Sequence, residues 1–268
     1  MNECVITRFN DKESSDTILY KNRDRAYKPN LEIVRELVND IEMVYIRDID
    51  TDWSEGINSF GIGIVSSALS VGFDEKEKKI IKTTGKKSHD GSIIRKALQN
   101  KDLKSTAKTV ITQDGGVRGH TFISTTDKYI ILESTSAHKA KFKADKNKEC
   151  IVRTNHGYYH IDAGYTSGKS YLSSKIRKEL SLQFIKKIKN YLELPRMMRK
   201  QLNKDSQLNP VRLSGKLFTT SQIMMNLDKL ELHLYLIDKN INSYKGIREI
   251  NIPEGYTPKI KISVKSVK

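Results

Sequence analysis

Apolar residues along this chain come in short runs with two different periods, and that alternation limits the fold more than any single motif does. No run approaches the roughly 18 apolar residues that a membrane span needs, and the N-terminus lacks the basic-then-apolar layout of a secretory signal. Residues 3–9 and 17–23 are β-prone and flank a polar stretch of turn formers, which predicts an N-terminal hairpin. Leu31, Val34, Leu37, Val38 and Ile41 recur at three- and four-residue steps, the spacing of a short amphipathic helix. Met43 to Ile46 then reads as a strand. Residues 56–71 form a glycine-punctuated apolar run of small residues, expected to be one buried strand entered through a tight turn. Past a lysine-rich stretch at 75–87, residues 91–111 carry the apolar spacing of one or two helices. Segments 120–126, 129–135, 139–143 and 149–154 are separated by polar turns and predict four strands in meander order. A basic helical pattern runs from Ser173 to Pro195, a second basic stretch covers 196–202, and 217–225 and 230–237 are again β-prone. The alternation at 256–268 fits an edge strand or a frayed basic tail equally. Strands, helices, strands, helices, strands, with no linker and no repeat, predict a single α+β layered domain.

The 268 residues carry 48 Lys and Arg against 32 Asp and Glu, a net charge of +16. Such a field concentrates anions whatever the fold, so nucleic acid, an anionic lipid surface and a phosphorylated small substrate all suit it. Heavy Lys, Ile and Asn usage is equally the mark of an AT-rich genome. Two cysteines, Cys4 and Cys150, are too few for a disulfide framework, and neither has zinc-ligand spacing; a cytoplasmic protein is expected. Cys150 lies between a turn and an apolar strand, where packing is the expected role. His89, His120 and His138 have no metal-ligand spacing with one another and are expected to be structural. No metal or cofactor is expected.

Cys4 begins a β-like segment next to the chain start, an odd place for a cysteine that only packs. With residues 1–3 removed, Cys4 would carry a thiol nucleophile and a free α-amino group whose pKa of about 7.7 to 8.0 suits a base near neutral pH. The next strand ends in Lys21-Asn22-Arg23-Asp24-Arg25, a charged cluster directly after Ile18-Leu19-Tyr20. Read alone, Cys4 is a small hydrophobe in a strand, Asp24 and Arg25 end a hairpin, Asn155-His156-Gly157 is a turn, and Arg177 is one solvated charge on a basic helix.

Together these residues resemble the N-terminal nucleophile hydrolases of the choloylglycine hydrolase, penicillin V acylase and isopenicillin-N acyltransferase group, including the proteins named for an Asn-Arg-Asp-Glu motif. Here that motif reads Asn22-Arg23-Asp24-Arg25, with its last position changed. In the same order, Gly56-Ile57-Asn58-Ser59-Phe60-Gly61-Ile62 is similar to the group's G-x-N-x-x-G-L segment, and Asp90-Gly91 opens a helix as in the acyltransferase branch. Residues 119–121 through 133–135 are similar to its central hairpin, Thr154-Asn155-His156 to its Thr-Asn-His segment, and Ser174-Lys175-Ile176-Arg177 to its later Ser-x-x-Arg.

The resemblance implies a four-layer αββα sandwich of two mainly antiparallel sheets flanked by helices. It also implies a propeptide at 1–3 removed by cleavage between Glu3 and Cys4, and a single domain over 4–268. The implied chemistry is cleavage of a non-peptide C–N amide bond, or acyl transfer, through a thioester on Cys4. Asp24 matches the aspartate that orients the new α-amino group, Asn155 an asparagine that holds the amine or the oxyanion, and Arg177 the later active-site arginine. Lys21, Asn22, Ser67 and His156 are expected at the substrate; Lys21 stands where the hydrolase branch has arginine, keeping the charge but losing the planar fork. Ser67 and Ala68 stand where the bile-salt and penicillin V branch has an oxyanion-hole asparagine, so a backbone N–H near Ser67 is expected to serve instead. The implied partner is a small amide or an acyl-CoA-like donor; by charge, the basic helix at 175–189 is the strongest local candidate for an anion-facing surface, with a solvated helix face as the alternative. From a different class, a non-catalytic nucleic-acid-binding protein is supported by charge and by Tyr158, Tyr159, Tyr165 and Tyr171 among basic residues. A third reading keeps the fold without turnover, given the changes at Lys21, Arg25 and Ala68.

Overall fold

In the computed structural model, the described residues are 3–69, 90–112, 117–135, 139–145, 150–159, 171–237 and 243–267. The lysine-rich stretch at 75–87, His89, His138 and Tyr165 lie outside them. The N-terminal hairpin forms from β1 (Glu3–Asn10) and β2 (Thr17–Arg25), paired antiparallel along their length. They sit within a six-stranded sheet, between β10 (Ile151–Arg153) on one side and β11 (Phe218–Asn226), β12 (Glu231–Ile237) and the edge strand β14 (Lys261–Val267) on the other. An eight-stranded sheet follows the order β13 (Tyr244–Ile250), β3 (Leu31–Val38), β4 (Ile41–Asp48), β5 (Ser54–Asn58), β6 (Gly63–Ser67), β7 (Gly119–Ser124), β8 (Lys128–Ser134) and β9 (Lys139–Asp145). Only the β12–β14 and β13–β3 pairs are parallel among the described strands.

Neighbouring side chains on a strand point to opposite faces, and both faces of both sheets are covered. Ile6, Leu19, Ile223 and Leu234 meet Ile33, Val44, Ile57, Val65 and Phe122 between the sheets. On the outer face of the larger sheet, Val34, Met43, Ile64 and Ile123 pack beneath α1 (Asp90–Ala97) and α2 (Leu103–Thr112). On the outer face of the smaller one, Val5, Ile18, Tyr20 and Met224 pack beneath α3 (Leu172–Lys187) and α4 (Leu194–Met198). The result is helix, sheet, sheet, helix, the αββα sandwich that the family resemblance implies.

Several sequence expectations need correction. The segment from Leu31 is strand β3, not a helix. Leu31 and Ile33 face the inter-sheet core while Val34 and Val38 face α1 and α2, and two buried faces mimic helical spacing. The run from Gly56 is a hairpin, β5 and β6, turned through Gly61 at φ 72. Of the four strands expected in one meander, three stay together and β10 crosses to the smaller sheet beside β1. The basic helix stops at Lys187, and Pro195 opens the short α4. Strand β13 was not expected at all.

One glycine lets the start of β7 pass close to the end of β6. Gly119 sits at φ +115, and a Cβ there would come within 2.1 Å of the Ser67 carbonyl oxygen. Gly119→Ala is therefore expected to cost about 3 kcal/mol, read as a lower urea midpoint at unchanged slope; an unchanged midpoint would refute this account of the close approach.

Candidate active site

The register of the first hairpin sorts the charged cluster onto two faces. Cys4 lies opposite Arg23 and Glu3 opposite Asp24, so Cys4, Lys21, Arg23 and Arg25 share the inter-sheet face while Glu3, Asn22 and Asp24 share the helix-covered face. All except Glu3 are buried.

On the inter-sheet face each cation has a different arrangement. Lys21 pairs with Glu55, which also accepts from Trp53 Nε1 at 2.6 Å. Arg23 Nη2 lies 2.7 Å from Asp48 Oδ2. Arg25 has no carboxylate within ion-pair distance among the described residues; its Nη1 donates to Cys4 Sγ at 3.6 Å and to the Asp24 carbonyl at 2.7 Å. Burial opposes ionisation of the Cys4 thiol, but Lys21 and Arg25 outweigh it, and the thiol pKa falls below its ordinary value. Burial pushes the Lys21 ammonium well down in turn, against the pull of Cys4. Both pKa values therefore fall, the thiol's through its two cationic neighbours and the ammonium's through burial.

On the opposite face Asp24 is a shared counter-ion. Its Oδ1 accepts from Thr219 Oγ1 at 2.6 Å, and its Oδ2 lies 3.4 Å from Arg177 Nη1 and 3.6 Å from Arg212 Nη1. Burial raises the Asp24 pKa, with Arg212 and Arg177 opposing it. Glu3 Oε2 accepts from Arg177 Nη2 at 2.9 Å and from Arg212 Nη2 at 2.7 Å. Asn155 joins the two halves: its Oδ1 accepts from the Cys4 backbone nitrogen at 3.4 Å and from Arg177 Nη2 at 2.8 Å. Its Nδ2 donates to the Ala68 carbonyl at 2.7 Å and to Ser67 Oγ at 3.4 Å, which orients the amide.

The Ser-x-x-Arg spacing has a local cause. Residues three apart on a helix share a face, so on α3 Ser174 and Arg177 both face the turn after β10. Ser174 Oγ accepts from the backbone nitrogens of Asn155 at 2.8 Å and His156 at 3.1 Å, and Arg177 one turn on reaches Asn155 and Asp24. His156 Nδ1 lies 2.9 Å from Ser174 Oγ, and its ring stacks on Tyr158. Its pKa is pushed down to about 4 by burial and by Lys178, Lys175 and Arg153, so the ring is neutral at pH 7. His120 is buried beside Glu133, its pKa lowered to about 4 chiefly by burial. Cys150 is half-buried, and burial pushes its thiol up to about 11, which disfavours the thiolate at neutral pH.

Of the residues expected at the site, Cys4, Lys21, Asp24, Ser67, Asn155 and Arg177 come together. Asn22 does not: it sits on the helix side, donating to the Pro210 carbonyl at 3.0 Å and accepting from Tyr20 Oη at 2.5 Å. Ser67 contributes through its hydroxyl, which donates to the Thr154 carbonyl at 3.3 Å and ties β6 to the turn carrying Asn155. Tyr158, expected as a stacking platform in the nucleic-acid reading, is already engaged by Arg153 at 3.7 Å and Lys178 at 4.7 Å from its ring centre. Sequence reading missed Arg212, Thr219, Trp53 and Glu55. None of these lies in a patterned motif, and only Arg25, as the changed position of Asn-Arg-Asp-Glu, carried a signal.

No protein-family model matches the chain, and no curated protein matches it in sequence. Among solved structures it is similar to the Caenorhabditis elegans ortholog of N-acylethanolamine-hydrolyzing acid amidase, at 12% identity and TM-score 0.60, over 84% of this chain and 93% of that one. It is also similar to penicillin V acylase from Agrobacterium tumefaciens, at 10% identity and TM-score 0.47, over 89% of this chain and 88% of that one. At such identity the likeness is one of architecture, and it agrees with the layers traced above: the chain has the αββα fold of the N-terminal nucleophile hydrolases.

Proposed function

We propose that this chain is a cysteine amidohydrolase that matures by cutting the peptide bond between Glu3 and Cys4. The observation that carries the reading is the treatment of Cys4: its thiol lies beside Arg25 and Lys21, and its backbone nitrogen lies 3.4 Å from Asn155 Oδ1. Fold alone assigns no chemistry; an enzyme named for amide hydrolysis with this architecture adds weight to the same conclusion.

In maturation Cys4 Sγ attacks the Glu3 carbonyl carbon. The C–S bond forms, the C–N bond breaks, and the thiol proton passes to the Cys4 nitrogen. Water then hydrolyses the thioester, releasing the segment before Cys4 and leaving residues 4–268 as the working domain. In turnover the new α-amine takes the thiol proton, Sγ attacks the substrate amide, and the protonated amine gives its proton to the leaving group. Asn155 Oδ1 and Asp24 hold the amine end of Cys4, while Arg25 Nη1 places a positive charge beside the developing oxyanion. Arg177 sits behind Asn155 and Asp24, donating to the amide oxygen of the first and pairing with the carboxylate of the second. Water resolves the acyl-enzyme in hydrolysis; an amine acceptor resolving the same thioester would make the protein an acyltransferase.

The test is chemical. An N-terminal cysteine ligates to a thioester peptide, whereas an internal cysteine does not form the stable amide. Purified wild-type protein without an added N-terminal tag is expected to have lost the mass preceding Cys4 and to take up one fluorescent thioester peptide. An intact mass with no ligation would overturn the reading.

A further inference from the structure

Glu3 is held as a ligand would be held. Its carboxylate is gripped by two buried guanidinium groups, Arg177 Nη2 at 2.9 Å and Arg212 Nη2 at 2.7 Å, and Arg212 Nη2 is steadied by Ser173 Oγ at 2.9 Å. In the uncut chain the charges balance: Arg177 and Arg212 face Glu3 and Asp24. Both arginine side chains are almost wholly buried, at 0% and 2% exposure. Cleavage before Cys4 removes one of the two carboxylates and leaves two buried cations sharing Asp24. A buried charge stripped of its partner is unfavourable until another anion replaces it.

The chemistry of maturation says what that anion is attached to. The thioester formed when Cys4 Sγ takes the Glu3 carbonyl is an acyl-enzyme, the same kind of intermediate that substrate turnover forms. An acyl group that fits the Glu3 position during maturation therefore fits it during turnover. In a glutamyl residue Cα, Cβ and Cγ separate the scissile carbonyl from the side-chain carboxylate, which is the spacing of glutaric acid.

We infer that Arg177 and Arg212 form a carboxylate subsite, vacated by Glu3, which selects amides whose acyl group is glutaryl-like, carrying a terminal carboxylate at that spacing. The inference rests on the maturation proposed above. Arg212, which no sequence pattern singled out, is on this account a specificity residue, because a paired guanidinium fork recognises a carboxylate in a way that one point charge cannot.

The experiment first sorts the protein by intact mass, then measures binding by calorimetry and turnover by release of p-nitroaniline. Matured wild type is expected to bind glutarate at least about tenfold more tightly than valerate, and to cleave glutaryl-p-nitroanilide with a kcat/KM exceeding that for valeryl-p-nitroanilide by a similar factor. Cys4→Ala, which keeps Glu3 in place, is expected not to bind glutarate. Arg212→Gln is expected to bring the glutarate-to-valerate ratio toward unity. Equal or absent binding of the two acids by matured protein would overturn the subsite while leaving the amidohydrolase reading intact. Equal glutarate binding by Cys4→Ala would place the anion elsewhere and also overturn it. A wild-type mass that still includes Glu3 would refute maturation itself, and the subsite with it.

Discussion

Cys4→Ala is expected to leave the peptide bond before residue 4 intact and to reduce amide hydrolysis to the uncatalysed background. Cys4→Ser is expected to mature and turn over slowly, by at least about two orders of magnitude. The reason lies in the electrostatics of the thiol. Cys4 is 1% exposed, and burial alone would hold it protonated; Lys21 and Arg25 reverse that balance and put its pKa below the ordinary thiol value. A serine hydroxyl titrates so far above neutrality that the same two cations cannot make it a comparable nucleophile. The same ledger predicts the sign for Arg25→Met: the Cys4 pKa rises, because burial is then opposed chiefly by Lys21. Thiolate absorbance read against Cys4→Ala should show the midpoint moving up in pH, with maturation at neutral pH slowed about tenfold or more. A midpoint that stays or falls would show that Arg25 does not act on the thiol.

Asp24→Ala is expected to be the most damaging substitution outside the nucleophile. The carboxylate is 0% exposed and serves two arginines and Thr219 at once. Removing it leaves Arg177 and Arg212 to share Glu3 in the uncut chain; breaking a buried pair usually costs about 3 to 5 kcal/mol, so the melting temperature should fall by roughly 10 °C. Asp24→Asn separates charge from shape. It keeps the volume and an acceptor for Thr219, so its stability loss should be the smaller of the two, while maturation still slows by about a hundredfold or more on the proposed role, because the negative charge that favours a proton arriving on the Cys4 nitrogen is gone. If Asp24→Asn matured at the wild-type rate, the carboxylate would be a structural counter-ion and nothing more.

How much of this was legible beforehand varies from residue to residue. Asn22-Arg23-Asp24-Arg25 stands out because three charged residues and an asparagine run consecutively in a fully buried strand. Ser174 and Arg177 stand out through helical spacing, which puts both at one turn of backbone. Arg212 and Thr219 had no such mark. They reach Asp24 only because β11 pairs with β2, bringing Thr219 opposite Asp24 across nearly two hundred residues of chain. Glu55 and Trp53 likewise meet Lys21 only across the gap between the sheets. Strand β3 misled for a related reason: a strand buried on both faces loses its alternation, so its apolar residues fall into helical spacing by coincidence.

Local order was therefore in the sequence: the first hairpin, the two helical regions, the strand pair β7–β8, and the strands β11 and β12. Those features depend on periodicity and turn chemistry within a few residues, which the chain encodes directly. Only the tertiary structure decided which sheet β10 joins, which face of β2 each charge occupies, and that Arg212 shares Glu3 and Asp24 with Arg177. Those outcomes depend on pairing between distant strands and on where buried charges find partners, and no short-range pattern specifies either.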